Sequence, residues 1–588
     1  MINRLRRTVL HSRAVFALLP LTGLLLASND GRVPLTQPAQ SFTVDPLDSR
    51  AAVRSLHGMV VSATELASKA GIEVLRQGGN AVDAAVATGF ALAVTHPSAG
   101  NIGGGGFMVI RFPNGKATAF DFREKAPLQS NPTMFLDKDG EYSRAQHHDS
   151  YLSVGVPGTV AGFVKAHAAY GKSKWEELVR PAIRLARDGF TVMPGLASSL
   201  RSALPRFAPY PASVESFSNN GEPYKTGDIL RQPDLARTLE RISRDGRDGF
   251  YGGETARLLV AEMQRGGGII TEEDLERYQA KERTPIIGTY RGYEIISMPP
   301  PSSGGVALVE MLNILEGYDL KSMGHNSPGY IHHLTEAMRR AFRDRASLVG
   351  DVDFVSVPID RLTDKQYASK LRDGISETEA TPSHPSDIEL PYESSQTTHY
   401  SVVDADGMAV SVTYTLEQGY GSKIAVTGAG FLLNNEMGDF NAKPGLTTTA
   451  GLIGTEPNLA APEKRMLSSM TPSIVARSGK LVAVVGSPGG RTIINSVLQV
   501  ILNIVDFQMD IQDAVNASRI HHQWLPDQIR VEADGINDHQ LQLLEGMGHS
   551  VRVGGRQGRT NCIMIDPATQ ERLGAADPRD PDAVAVGY

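Results

Sequence analysis

The chain has almost no cysteine: Cys562 is the only one among its 588 residues. A single thiol excludes an intramolecular disulfide and any metal cluster built from several cysteines. Cys562 lies in a strand-like run, residues 560–565, with no recognisable partner motif for a nucleophile, so we predict a small buried apolar side chain. Aromatic residues are also few, at 6%, whereas the 59 glycines predict many tight turns and close backbone contacts.

The sequence also lacks a strong net charge and a recognisable cofactor-binding motif. A formal net charge of -7 on a chain of this length argues against an extensive nucleic-acid surface. The run Gly103–Gly106 lacks the Gly-Lys-Ser/Thr ending of a phosphate loop and precedes a strand, so we predict a tight loop with close backbone packing. The pair His332-His333 shares a predicted helix with Glu336, but the sequence shows no additional ligand that would complete a metal site with them. We therefore expect no metal and no other cofactor.

The N-terminus has the pattern of an export signal. Four arginines within the first 13 residues precede the apolar run Ala14–Ala27, which the polar stretch Ser28–Gly31 then ends. This order predicts a cleavable secretory signal over residues 1–28, with an uncleaved anchor as the alternative. No other apolar run reaches the length that a membrane helix needs. The mature protein is therefore expected to be soluble and exported, periplasmic or secreted.

A change of character at residue 397 marks the most informative boundary. Residues 374–396 (GISETEATPSHPSDIELPYESSQ) are rich in proline, serine and glutamate, which is typical of a linker. Two strand-like runs follow, Thr397–Val403 and Met408–Leu416, separated by the turn Asp404–Gly407. This pattern predicts a β-hairpin.

The hairpin brings a second hydroxyl next to Thr397. If the turn centres on Ala405 and Asp406, Thr397 faces Thr415 or lies one residue off, within side-chain contact. A cut before Thr397 would free an α-amine that titrates near about 7.7–8.0 and can accept the proton of the neighbouring hydroxyl. Thr397 is thus a candidate N-terminal nucleophile, although a threonine at the start of a strand is also common.

A second element offers an anion site. The strand-like run Leu481–Val485 is followed by the loop Gly486–Gly490 (GSPGG) and a helix predicted over Thr492–Phe507. A glycine loop leading into a helix N-terminus can bind a phosphate, or the oxyanion of an acyl-transfer intermediate. The chain contains no Gly-x-Ser-x-Gly motif, which weakens an ordinary serine hydrolase.

Seven motifs, in order, resemble those of the γ-glutamyltransferase (γ-glutamyltranspeptidase) family: AVTHPSAGNIGGGGFM, DFREKAP, SMPPPSSGG, YESSQTTHYSVVD, NNEMGDF, LSSMTPS and GSPGG. They extend over about residues 58–588. The resemblance implies an N-terminal-nucleophile hydrolase of the α+β class with a four-layer αββα sandwich. It also implies that the precursor cuts itself before Thr397. Residues 29–396 would form a large subunit and residues 397–588 a small catalytic subunit, associated as a heterodimer that builds one αββα unit.

The resemblance assigns roles to individual residues. It implies that Thr397 is the nucleophile of both self-cleavage and acyl transfer, that Thr415 is its hydrogen-bonding partner, and that two backbone amides form the oxyanion hole, those of Gly489 and Gly490. The remaining matches surround the donor: Arg123, Ser468 and Ser469 at the α-carboxylate, and Glu417, Glu436 and Asp439 at the α-ammonium.

These assignments fit the donor's chemistry. A γ-glutamyl head is a zwitterion, so it needs a forked cation with hydroxyls at one end and acidic groups at the other. The chain also departs from some members of the family: Glu417 and Glu436 stand where those have Asn and Gln. In the segment matching their lid, Lys443–Leu459, Ala450 stands where they have an aromatic gate.

The function implied is transfer of the γ-glutamyl group of glutathione and other γ-glutamyl amides to water or to amino acid and peptide acceptors, through a γ-glutamyl-Thr397 intermediate. Three alternatives stay open: a β-lactam side-chain (glutaryl or cephalosporin) acylase of the same superfamily, an exported solute-binding protein, and a processed but inactive homologue. The acylase would differ from the γ-glutamyltransferase in preferring donors that lack the α-ammonium group. The solute-binding protein would differ in needing no cleavage of the chain before Thr397.

Overall fold

The computed structural model describes residues 50–385 and 397–588. The predicted signal over residues 1–28 and the end of the predicted linker lie outside these ranges. Within them, no helix combines the length and the apolar character that crossing a membrane requires.

The described residues form both strands and helices. The strands are β1 (Val53–Ser55), β2 (Met59–Ser62), β3 (Gly105–Arg111), β4 (Ala117–Phe122), β5 (Phe190–Thr191), β6 (Ile229–Leu230), β7 (Lys281–Arg283), β8 (Ile286–Tyr290), β9 (Tyr293–Ser297), β10 (Thr398–Val403), β11 (Ala409–Thr415), β12 (Ser473–Arg477), β13 (Lys480–Val485), β14 (Ile520–His521), β15 (Ile529–Glu532), β16 (Val551–Gly554), β17 (Asn561–Ile565), β18 (Arg572–Ala576) and β19 (Val584–Gly587). The helices are α1 (Glu65–Arg76), α2 (Ala81–Thr95), α3 (Arg144–His148), α4 (Thr159–Tyr170), α5 (Trp175–Asp188), α6 (Pro194–Phe207), α7 (Pro211–Phe217), α8 (Pro233–Asp245), α9 (Asp248–Tyr251), α10 (Gly253–Gly266), α11 (Glu272–Arg277), α12 (Gly304–Leu315), α13 (Leu320–Met323), α14 (Pro328–Leu348), α15 (Ile359–Leu362), α16 (Lys365–Asp373), α17 (Thr492–Val505), α18 (Ile511–Asn516) and α19 (Asp538–Gly546).

Two seven-stranded sheets form the centre of the molecule. One has the order β19-β2-β10-β11-β3-β4-β7 and the other β1-β18-β17-β13-β12-β9-β8. They stack face to face, with β10 against β17, β11 against β13 and β2 against β18. Helices α1, α2 and α4 cover the outer face of the first sheet, and α12, α17 and α18 cover that of the second. The fold is the four-layer αββα sandwich that the resemblance implied.

Both sheets combine strands from before and after residue 397. In the first sheet, β10 pairs with β2, and β11 pairs with β3, so neighbouring strands come from opposite sides of the boundary. In the second, β12 pairs with β9, and β18 pairs with β1. A cut before Thr397 would therefore leave the two parts joined by backbone ladders and a shared core. The division into subunits itself stays a prediction.

The predicted hairpin is confirmed as β10 and β11. Thr398 pairs with Tyr414 and Val403 with Ala409. Extended by one residue beyond the strand, this register places Thr397 opposite Thr415. The turn is closed by a hydrogen bond of 2.9 Å from the Met408 amide to the Asp404 side chain. Local turn chemistry thus sets which residue stands opposite the candidate nucleophile.

Alternate side chains of β10 face different layers. The hydroxyl of Tyr400 donates to the carbonyl of Ala85 in α2, at 3.0 Å. The hydroxyl of Ser401 donates in the opposite direction, to the carbonyl of Asn561 in β17, at 2.8 Å. Because side chains alternate along a strand, Thr397 belongs to the face of Ser401, towards the second sheet.

The glycine-rich run packs tightly, as predicted, but its boundary differs. A Cβ at Gly103 would lie 2.1 Å from the carbonyl oxygen of Leu432, and one at Gly104 2.1 Å from that of Thr415. The strand β3 begins at Gly105, two residues before the predicted start at Phe107, because Gly105 already pairs with Thr415. The glycines therefore allow the chain to pass close to the end of β11.

Candidate active site

The predicted site residues converge on one pocket. Together with the open solvent at its mouth, the pocket encloses about 260 Å3. The pocket is lined by Arg123, Thr397, Thr415, Glu417, Glu436, Asp439, Ser468, Ser469 and Gly490, together with Met470 and Ile493. Gly489 lines an adjoining cavity, which Thr397 also lines and which encloses about 600 Å3 together with the open solvent at its mouth. The structure thus brings all ten predicted residues to one place, although they come from segments that are hundreds of residues apart.

Thr397 immediately precedes β10 and is only 7% exposed. Its neighbour across the hairpin, Thr415, accepts a hydrogen bond of 2.8 Å at Oγ1 from the amide of Glu417. This bond orients the Thr415 hydroxyl at the point where β11 ends and the chain turns towards the acidic residues. Thr415 therefore lies between the candidate nucleophile, Thr397, and the acidic side of the pocket that begins at Glu417.

The histidine closest in sequence on this face is a poor proton acceptor. His399 is enclosed between Thr413 Oγ1, at 2.9 Å from its Nδ1, and Ser401 Oγ, at 3.1 Å from its Nε2. Burial lowers the pKa of His399 to about 3. A base works best when its pKa lies near the working pH. The α-amine that the predicted cut before Thr397 would free meets that condition, whereas His399 does not.

The loop after β13 needs glycine at two positions. Gly489 has φ +136° and Gly490 φ +58°, both in the region that side chains disfavour. A Cβ at Gly489 would also lie 2.4 Å from Thr492 Oγ1. The loop leads directly into α17, which begins at Thr492. Backbone amides at the N-terminus of a helix favour a negative charge, so the arrangement suits an oxyanion beside Thr397.

Arg123 is fully buried and surrounded by acids. Its guanidinium donates to Glu436 Oε1 and to Asp439 Oδ2, and it lies 3.7 Å from Glu124 Oε2. Burial acts to lower the pKa of Arg123, but the three carboxylates outweigh it and raise that pKa. The expected separation of a cation at one end and acids at the other is not what the structure has. They form one ion-pair cluster, because a buried guanidinium needs counter-charges.

Several acidic oxygens in this cluster lack a hydrogen-bond donor among the described residues. They are both oxygens of Glu124, both of Glu417, and Oε2 of Glu436. Burial raises the pKa of Glu436 well above its usual range and that of Glu124 to about 8, although Arg123 opposes both shifts. Buried acceptors without donors are costly, so the cluster is prepared for a ligand that brings N–H donors and positive charge.

Glu417 adopts a backbone conformation that glutamate seldom takes. Its φ is +77°, in the left-handed region where asparagine is several-fold enriched. Its Oε1 lies 3.5 Å from Nδ1 of buried His148. A non-glycine residue there costs on the order of 1 kcal/mol. Such strain is typical of functional positions, and an additional carboxylate in the pocket is what this residue provides.

A separate loop positions the two serines. The Ser468 carbonyl accepts from the Ser303 amide at 2.8 Å, which anchors it to the SMPPPSSGG motif. Ser469 Oγ accepts a 3.0 Å hydrogen bond from Arg345 Nη2, and Arg345 Nε donates to Ser303 Oγ at 2.7 Å. The proline- and serine-rich motif thus supports the serines from behind, with Arg345 of α14 joining both segments.

Sequence reasoning missed Glu124, His148 and Arg345. Glu124 follows Arg123 in the DFREKAP motif, so the signal was present in the motif. His148 and Arg345 have no such signal, because only the fold brings α3 and α14 to the pocket.

Two other predictions concern groups outside the pocket. Cys562 is buried in β17, and burial raises the pKa of its thiol to about 12. His549, which the sequence did not suggest, has its Nε2 2.8 Å from Nδ1 of His332. The possible ligand atoms of His332, Glu336 and His549 all lie within 4.8 Å of one another. Glu336, however, already accepts from the guanidinium groups of Arg339 and Arg340, in ion pairs of 3.2 Å and 2.5 Å. This group of three therefore fits a structural hydrogen-bond cluster better than a cation site.

The raised pKa of Glu124 gives a pH-dependent stability prediction. The unfolded carboxyl ionises near about 4.3, whereas the folded one stays protonated until about pH 8. The wild type therefore loses stability as the pH rises through this window, by up to about 1.4 kcal/mol per pH unit. Glu124→Gln is expected to be no more stable than wild type near the lower limit and clearly more stable near the upper one.

Melting temperatures across this pH window check that expectation, with the exposed Glu240→Gln as control for the charge change. A constant difference between Glu124→Gln and wild type at every pH would contradict the shifted pKa.

Comparisons with known proteins identify relatives of the whole chain. The glutathione hydrolase proenzyme of Escherichia coli (strain K12) is 49% identical to this chain over 540 residues, covering 91% of this chain and 93% of the relative. Among solved structures, the cephalosporin acylase of Bacillus halodurans has a TM-score of 0.80 at 27% identity, covering 96% of this chain and 99% of that one. The γ-glutamyltranspeptidase of Helicobacter pylori has a TM-score of 0.54 at 47% identity, covering 59% of this chain and 95% of that one.

The family comparison covers most of the sequence. The protein-family model described as gamma-glutamyltranspeptidase matches residues 67–587 of this chain. This range includes all ten predicted site residues and both central sheets except β1 and β2. The fold, the composition of the pocket and these matches lead to one conclusion: the chain belongs to the γ-glutamyltranspeptidase family.

Proposed function

We propose that Thr397 carries out γ-glutamyl transfer and glutathione hydrolysis, the activity of the family to which this chain belongs. The observation that carries the proposal is the shared pocket, in which a hairpin threonine lies between a glycine loop and a buried cluster of opposite charges. A nucleophile, an oxyanion site and a zwitterion site are the three parts that transfer of a γ-glutamyl group requires.

The first half of the reaction forms an acyl-enzyme. Thr397 Oγ attacks the δ-carbonyl carbon of the γ-glutamyl amide, and its proton passes to the α-amine of the same residue. The amides of Gly489 and Gly490 stabilise the oxyanion. The carbon–nitrogen bond then breaks, and the leaving amine takes the proton from the α-ammonium. A γ-glutamyl ester on Thr397 remains.

The second half releases the acyl group. Water, or the amine of an amino acid or peptide, attacks the ester carbon and gives its proton to the α-amine of Thr397. The ester bond breaks, and Thr397 Oγ recovers its proton. No step needs a metal or an organic cofactor, since the α-amine and the backbone amides supply the proton acceptor and the charge stabilisation.

The charge cluster selects the donor. In our proposal the donor carboxylate is bound by Arg123 with Ser468 and Ser469, while its ammonium is bound by Glu417, Glu436 and Asp439. The carboxylate oxygens without donors support this role for the acids, since an ammonium brings three N–H donors. A glutaryl donor would leave them unsatisfied, which disfavours the acylase alternative.

Processing and location complete the proposal. The chain is a precursor that cuts itself before Thr397, yielding a large subunit of residues 29–396 and a small subunit of residues 397–588 that remain a heterodimer. The interleaved strands support continued association. Residues 1–28 direct export before this cut.

A matched pair of donors tests substrate choice. γ-Glutamyl-4-nitroanilide and glutaryl-4-nitroanilide differ only in the α-ammonium group. We expect kcat/KM to favour the γ-glutamyl compound by about 100-fold or more, since leaving a buried charged group unpaired costs at least about 3 kcal/mol. An equal rate for the two donors would favour the acylase, and no turnover of either by processed protein would favour an inactive homologue.

A further inference from the structure

A cleft continues beyond Thr397 on the side away from the donor pocket. The adjoining cavity of about 600 Å3 shares only Thr397 with that pocket. It shares Gly489, Thr492 and Arg530 with a larger cavity, which Ala450 also lines and which encloses about 1310 Å3 together with the open solvent at its mouth. A group attached to the far side of the scissile amide therefore has an open path away from Thr397.

The charge of this cleft is opposite to that of the donor pocket. Five arginines line the two cavities: Arg491, Arg530, Arg552, Arg556 and Arg559. No aspartate or glutamate is among the described residues that line either one. On a chain with a formal net charge of -7, such a concentration of one sign is unexpected for a random stretch of surface.

Two of these arginines are neighbours across paired strands. Arg530 in β15 and Arg552 in β16 are direct partners in the parallel register, and both are exposed. Both also line the larger cavity, so two positively charged side chains stand next to each other at its wall.

A rigid loop presents a third arginine. Gln557, next to Arg556, donates from Nε2 to the carbonyl of Arg530 at 3.0 Å, and its own carbonyl accepts from Arg519 at 2.7 Å. The loop is therefore tied to β15. Arg556 itself is exposed, and among the described residues none forms an ion pair or hydrogen bond with its guanidinium. The positive charge of Arg556 therefore lies at the wall of the cleft, where a negatively charged ligand can contact it.

We propose that this arginine-lined cleft is an acceptor subsite for acidic peptides, meaning peptides with two or more carboxylates. The inference rests on the proposed function and names the acceptor class of the same site. The peptide's neutral α-amine attacks the γ-glutamyl ester carbon on Thr397 and forms the new amide bond. The ester bond breaks, the amine proton passes to the α-amine of Thr397, and Thr397 Oγ recovers its proton. The carboxylates bind Arg552 and Arg556 meanwhile.

Three dipeptides of similar size test the subsite: Glu-Glu, Gln-Gln and Lys-Lys, each with γ-glutamyl-4-nitroanilide as donor and processed protein as enzyme. We expect kcat/KM for Glu-Glu to exceed that for Gln-Gln by about tenfold, with Lys-Lys lowest. The preference is expected to shrink at high salt, because exposed charges are screened. In the double variant Arg552→Gln, Arg556→Gln the ratio is expected to approach one.

The control for loss of a surface arginine is Arg477→Gln, which removes one positive charge from an exposed strand end at the opposite end of β12 and β13 from the glycine loop. It is expected to keep the wild-type ratio. Equal kcat/KM for Glu-Glu and Gln-Gln in the wild type would overturn the subsite, as would an unchanged ratio in the double variant. Donor hydrolysis without any dipeptide is measured in parallel, so its absence from the wild type would count against the proposed function instead.

Discussion

Replacing Thr397 with alanine is expected to leave the chain uncut and to lower γ-glutamyl transfer by at least about 10,000-fold. The hydroxyl is the only group that the proposal makes covalent, and the pocket retains only the oxyanion loop and the charge cluster without it. Denatured intact mass after incubation at neutral pH measures the cut. The wild type should give two fragments, the smaller beginning at Thr397, and the variant one chain.

Thr398→Ala is the matched control, since Thr398 is the next residue along the chain and is also buried, at 2% exposed against 7%, but its side chain faces the opposite layer. It should process normally, with at most a modest loss of stability. A single uncut chain in the wild type, or normal processing of Thr397→Ala, would exclude Thr397 as the processing nucleophile. An uncut wild type would make the solute-binding protein, which needs no cut, the leading interpretation.

Replacing Arg123 with glutamine is expected to lower kcat/KM for γ-glutamyl donors by about 100- to 1,000-fold, mainly through a higher KM. The change removes the cation proposed to bind the donor carboxylate, and it leaves Glu436 and Asp439 without their counter-charge. Removing one partner of a buried charge pair typically costs about 3–5 kcal/mol. Initial rates over a range of donor concentrations separate the KM effect from kcat.

Arg111→Gln provides the comparison for a buried arginine elsewhere in the first sheet. Arg111 is 2% exposed, lies in β3 and donates to the carbonyl of Gly479 at 2.6 Å, at the end of the sheets remote from the glycine loop. It should lower the melting temperature without raising the donor KM. If Arg123→Gln lowered the melting temperature to the same extent but kept the wild-type KM, Arg123 would be a structural residue and the donor assignment would be wrong.

Much of the catalytic framework could be predicted because it depends on short-range chemistry. The Asp-Gly turn determines the register that places Thr397 opposite Thr415, and the order of strand, glycine loop and helix around Gly489 can be seen within a few residues. The fold class could be predicted too, through long motifs that resemble a family. Element boundaries were less certain, as at β3, where pairing with β11 extends the strand into the glycines.

The charge arrangement could not be predicted in the same way. Each charged residue was assigned to one end of a zwitterion, yet Arg123 binds Glu436 and Asp439 directly, more than three hundred residues along the chain. Burial forces such pairs, and burial depends on how the layers stack. The roles assigned to these residues remain proposals until donors and variants are compared.

The sequence by itself determined the hairpin, the glycine loop and the family, because turn geometry and helix starts depend on neighbouring residues. Only the tertiary structure decided that Glu124 and His148 lie beside the charged residues of the pocket and that Arg345 donates a hydrogen bond to Ser469. It also decided that arginines from β15, β16 and the following loop line a common cleft. Long-range stacking of two sheets sets these contacts, and no local pattern encodes a distance between side chains that are remote in the chain.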